Sequence, residues 1–236
     1  MTFLSPLSYI IHQDIIKTYK VGLSFFESPP YRLHFIVNSF IFLLNVVKYR
    51  AKEVDFMYTL FIDTHDELIT VSLVNESNVF TKEQASFHKH AVYLVPMIRS
   101  ILSENNLTVK DIKNIVCING PGSFTGLRIG LTVGKTLAYT LNVSIYLMSS
   151  LEAYLVSSEK SDNNIAVIED TKGYYIRGNN IEEQYVTDMS KYEKYNIVPK
   201  VLDVRKVVSE ALKKNSVNAH LVRANYVKEI EVNKRD

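Results

Sequence analysis

Gly120-Pro121-Gly122-Ser123-Phe124-Thr125-Gly126-Leu127-Arg128-Ile129-Gly130 is the stretch whose residue types and spacing can do chemistry. It follows the apolar run Ile115 to Asn119 and opens a helical pattern, so backbone N–H groups collect at a helix N-terminus, a geometry that cradles phosphate. Asp63 and Thr64, ending another apolar run, would join Gly122 and Ser123 around a phosphate or a nucleotide-bound metal. The same block also makes a tight strand-to-helix turn with no ligand. The lack of a companion lysine or metal-binding carboxylate favours that turn, and Asp63 then serves to cap its own turn.

Other candidates fail on spacing. Gly130-Leu131-Thr132-Val133-Gly134-Lys135-Thr136 has one residue too few between its glycines for a nucleotide-binding P-loop, and it lies inside the helix, where Lys135 is an ordinary surface lysine. His88 and His90 lack a third ligand and read as a solvated pair or a helix-start hydrogen bond. Ser123 has no G-x-S-x-G elbow around it, and Cys117 sits in an apolar strand as an inert core residue. No catalytic residue, metal or cofactor is expected.

The elements that position the glycine block follow from periodicity. Tyr58 to Asp63, Leu68 to Val74 and Asn78 to Phe87 read as strands whose short connections require an antiparallel meander. Leu94, Met97, Ile98, Ile101 and Leu102 line one face of a helix from about His90, with Pro96 inside it. Ile115 to Asn119 is a buried strand, followed by the glycine turn and a helix to about Leu141. Val143 to Met148 and a helix from Ser149 come next. This order matches the ribonuclease H-like domain that also builds actin-like ATPases. Leu60-Phe61-Ile62-Asp63-Thr64-His65 has a counterpart in Val167-Ile168-Glu169-Asp170-Thr171-Lys172, the mark of a second copy, which continues through a hairpin and a helix-like Val201 to Lys214.

Lys plus Arg total 27 against 25 Asp plus Glu, a net charge of +2, so any RNA contact has to be local or made by a partner. A single cysteine excludes an internal disulfide framework and fits a reducing compartment. Leu33 to Val47 is apolar but too short to span a bilayer, and no secretory signal pattern is present.

The glycine block resembles the hallmark of the TsaB (YeaZ) family of tRNA threonylcarbamoyladenosine biosynthesis subunits. Phe61-Ile62-Asp63-Thr64, His90 through Leu94 with Pro96, and Ser149-Ser150-Leu151-Glu152-Ala153 match in order, and Tyr226-Val227-Lys228 resembles a C-terminal Tyr-Leu-Arg. His65-Asp66 departs from the family's small or hydroxyl residue after Asp-Thr. The resemblance implies an α/β, actin-like ATPase (ribonuclease H-like) fold, complete over residues 57–160 and repeated in reduced form over 161–236. Residues 1–56 then lie outside the family, as an extension or a start-site artefact. It also implies a cytoplasmic, non-catalytic subunit that dimerises with a TsaD-type catalytic subunit. A TsaE-type ATPase would join the larger complex, tRNA would be reached through that complex, and the chain would self-associate when alone. The rival is an actin-like ATPase or small-molecule kinase, which needs a second phosphate loop, yet from Asn163 onward only Gly173 and Gly178 occur.

Four-residue spacing places Gly126, Gly130, Gly134 and Ala138 on an inward side of the glycine-block helix, among Leu127, Leu131, Leu137 and Leu141. The opposite side carries Arg128, Ile129, Thr132, Thr136, Tyr139 and Thr140, which the resemblance makes the expected partner surface.

Overall fold

Alternation of Leu60 and Ile62 with Phe61 lets one strand feed two cores, and the first sheet is built around that strand. The computed structural model describes residues 57–227. The expectations for residues 1–56, for Leu33 to Val47 and for Lys228 lie outside them.

Strand β1 (Tyr58–Asp63) is buried along its whole length. It pairs antiparallel with β2 (Leu68–Val74), which pairs antiparallel with β3 (Val79–Ala85). After helix α1 (His90–Glu104), strand β4 (Ile112–Ile118) returns parallel to β1, with Phe61 opposite Val116. Helix α2 (Phe124–Leu141) then crosses over to β5 (Ser144–Met148), parallel to β4, giving the order β3-β2-β1-β4-β5. On one face Leu60, Ile62, Ile115, Cys117 and Ile145 meet α1 and α2 through Leu94, Ile98, Leu131 and Ala138.

Helix α3 (Ser150–Ser157) leads to a second sheet of β6 (Asn164–Asp170), β7 (Gly173–Gly178), β8 (Ile181–Val186) and the short β9 (Asn196–Ile197). Its order is β8-β7-β6-β9, antiparallel except for β9, which runs parallel to β6. Asp63 and Asp170, the paired positions of the internal repeat, each end the first strand of a meander. Helix α4 spans Val204–Ala211 and is shorter than the pattern over Val201 to Lys214 suggests, because Asp203 accepts a hydrogen bond from the Lys206 amide and so fixes its start. Val204, Val207, Val208 and Ala211 meet Phe61, Val116 and Ile118 on the other face of the first sheet.

The last described residues form a strap. The Val217 amide donates to the Ile145 carbonyl, the 3-10 turn Ala219–Leu221 lies on α2, Val222 is buried in the first core, and the Asn225 amide donates to the Asn119 carbonyl.

Candidate functional site

The C-terminal end of β1 and the turn before α2 meet at Asp63, Thr64, His65 and Gly122. Asp63 accepts at Oδ1 from the His65 amide (2.9 Å), so the turn-capping expectation for this residue matches its geometry. The same oxygen lies 2.7 Å from His65 Nδ1, while His65 Nε2 lies 2.7 Å from the Tyr154 hydroxyl on α3. All three are buried, at 2%, 6% and 4% exposure. Burial alone would depress the imidazole's pKa. The adjoining Asp63 charge and hydrogen bond, with Asp66 beyond, overcome it and hold His65 above the ordinary histidine value. Burial, with Asp63 and Asp66 nearby, pushes the Tyr154 phenol above its usual range.

Thr64 donates from Oγ1 to the Gly126 carbonyl (2.8 Å). The Ser123 amide donates to the His65 carbonyl (2.7 Å), and Ser123 Oγ accepts from the Gly126 amide (3.3 Å) as the α2 cap. Asp63, Thr64, Gly122 and Ser123 are thus brought together, but with the polar groups named here already engaged within the chain. Gly120 has φ +110°, and a side chain at Gly122 would run into the His65 carbonyl and Cβ, so the turn requires glycine at both. Pro121 accepts at its carbonyl from Ser150 Oγ (2.6 Å), tying the turn to α3. Gly126 and Gly130 press on Thr64 and Gly134 on Cys117 Sγ, which accounts for their row. Burial, then the Asp63 charge, pushes the Cys117 thiol up to about 12.

His90 is buried and donates from Nε2 to the Asp66 carbonyl (2.8 Å), whereas His88 is exposed, so the two do not converge. Among the described residues no three His, Cys, Asp or Glu side chains gather as metal ligands. Nor is any described helix long and apolar enough to cross a membrane.

The six residues placed on the outer side of α2 do not make one free face. Thr132, Thr136 and Thr140 are exposed, with Thr136 Oγ1 bonded to the Thr132 carbonyl. Ile129 is half-buried against the first core. Arg128 and Tyr139 are turned to the strap: the guanidinium lies 3.7 Å over the Phe124 ring with Nε donating to the Tyr226 hydroxyl (3.3 Å), and Tyr139 meets His220 edge-on at 5.0 Å. The strap supplies polar and aromatic partners that a helical wheel cannot see. On its other flank α2 forms an apolar groove of about 330 Å³ with α1, lined by Val95, Ile98, Leu102, Val133 and Leu137.

Sequence reasoning missed His65 and Tyr154 as a linked pair. The Asp-x-His spacing of an Asx turn hinted at the first, and nothing local pointed to the second.

Residues 79–219 match the family model described as TsaD: tRNA N6-adenosine threonylcarbamoyltransferase. The chain is 34% identical over 141 residues to the tRNA threonylcarbamoyladenosine biosynthesis protein TsaB of Bacillus subtilis, covering 57% of this chain and 62% of that protein. It is 33% identical over 95 residues to TsaB of Escherichia coli, covering 40% and 41%. The matches thus span less than two thirds of either relative. The fold is similar to that of YeaZ from Pseudomonas aeruginosa, with a TM-score of 0.57 at 20% identity over 72% of this chain and 99% of that one.

Proposed function

This chain belongs to the family of the tRNA N6-adenosine threonylcarbamoyltransferase TsaD, and within it to the TsaB (YeaZ) proteins, and from that premise we propose that it is the non-catalytic subunit that binds and stabilises a TsaD-type subunit. The complex would place threonylcarbamoyl on the tRNA adenosine next to the anticodon, with a TsaE-type ATPase joining it in the cytoplasm. Residues 57–160 act as the first actin-like domain and residues 161–236 as its reduced copy. The second sheet supports that division by repeating a meander followed by a parallel neighbour of its first strand.

The observation that carries the reading is the surface of α1 and α2. Val92 and Val95 are exposed on α1, and the apolar groove runs beside the uncharged ridge of Thr132, Thr136 and Thr140. Such a surface suits helix-to-helix docking, in which a carboxylate would be buried unpaired. The engaged state of Asp63, Thr64 and Ser123 supports a binding role over an ATPase or kinase.

Size-exclusion chromatography of the full chain with a TsaD-type partner tests this. Co-elution is expected for the parent and lost in Thr136→Glu, while the isolated variant melts within a few degrees of the parent. Retained co-elution of the variant would place the partner elsewhere, and none by the parent would remove the reading.

A further inference from the structure

Helix α2 and the strap laid along it, residues 217–227, together contain Arg128, Lys135, His220 and Arg223 and not one Asp or Glu. The chain as a whole is nearly balanced, at 27 Lys plus Arg against 25 Asp plus Glu. Phe124, Arg128, Lys135 and Tyr139 recur at helical spacing on the strap-facing side of α2. Three aromatic rings stay in solvent there: Phe124 at 48%, Tyr139 at 67% and Tyr226 at 44% exposure. Phe124 and Tyr226 lie 5.5 Å apart between centroids, tilted by 36°, with the Arg128 guanidinium 3.7 Å over the Phe124 ring.

The platform is held from beneath. Val222 is buried in the first core, the Asn225 amide is bonded to Asn119, and Asn225 Nδ2 donates to Glu183 (2.6 Å). Glu183 itself is committed to Ser149 and Arg177, so it is not a free counter-charge to the face.

We propose that this face binds unpaired RNA nucleotides directly, stacking bases on Phe124, Tyr226 and the Arg128 plane while Arg223 and Lys135 meet the phosphates. Cations without carboxylates attract a polyanion, and exposed rings with a stacked guanidinium add what an acidic peptide does not need, a platform for base faces. Direct contact replaces the expectation that tRNA is reached only through the complex. The inference rests on the reading above only for RNA being at hand.

Fluorescence anisotropy of the full chain with a labelled RNA stem-loop, and with a fully paired RNA of the same length, tests it. The stem-loop is expected to bind more tightly than the paired RNA, with affinity falling as salt is added. Phe124→Ala and Tyr226→Ala should each weaken it at least about fivefold. Tyr226→Phe, which keeps the ring and the fold, should retain most of the affinity, and Arg223→Glu should lose it. Equal binding by parent and ring-deleted variants, or equal binding of paired and unpaired RNA, would overturn the proposal. Preference for a polyglutamate peptide over the stem-loop would assign the face to an acidic protein and overturn it too. Tyr226 and Arg223 lie outside the groove and threonine ridge proposed for the TsaD-type partner. Absence of RNA binding by the parent with its co-elution intact therefore fails this inference alone, and absent co-elution by the parent with RNA binding intact fails the function reading alone.

Discussion

The hydroxyl of Tyr154 lies 2.7 Å from Nε2 of His65, eighty-nine residues away in the chain, and joins the turn after the first strand to α3. With Asp63 on the other ring nitrogen, the imidazole is bonded at both ends inside the protein. The carbonyl of the same His65 receives the Ser123 amide, so one residue touches both α3 and the glycine turn.

Tyr154→Phe removes that hydroxyl and little volume. Nε2 of His65 is left buried without a partner, at a cost of about 1–3 kcal/mol. Urea denaturation should show the midpoint moving down with an unchanged slope; an unmoved midpoint would mean that the contact contributes nothing.

The raised His65 pKa has a defined sign in pH. Its folded value lies above the reference 6.5, so the stability linked to protonation is fully present below about pH 6.5 and is lost as pH rises through the folded value. The melting temperature of the parent should therefore fall relative to that of His65→Gln across that rise. Parallel curves for the two proteins would contradict the assignment, and the imidazole NMR titration reads the folded value directly.

Gly130→Ala separates helix propensity from packing. In an exposed helix the change would stabilise by about 1 kcal/mol. Here the new methyl meets the Thr64 hydroxyl that bonds Gly126, so the variant should melt lower than the parent. A higher melting temperature would show that Thr64 yields at little cost.

Residues 57–236 expressed alone should give a cooperatively melting protein, because the described residues of this part contain both faces of the first sheet and their own helices. Aggregation of that product would show that residues 1–56 cover part of it.

Period and punctuation were enough to read most elements of the first sheet, because both are local: short apolar runs set off by a polar turn marked β1 and β2, i, i+3, i+4 spacing marked α1, and the glycine block marked the turn into α2. The small-residue row on α2 was legible for the same reason, since three glycines inside one helix imply a close neighbour. What that neighbour is came only from the fold, which sets Thr64 and Cys117 against the row. The strap is the clearest case. Residues 217–227 have no sustained period, and their place is decided by long-range contacts of Val217 with Ile145, Asn225 with Asn119 and Tyr226 with Phe124. Those contacts bring Arg128 to Tyr226 and Tyr139 to His220, which helical geometry alone does not show. The sequence by itself determined which residues share a helix or strand, because backbone periodicity depends on near neighbours. The tertiary structure decided which polar groups meet, because hydrogen bonds such as His65 to Tyr154 join positions that no local rule relates.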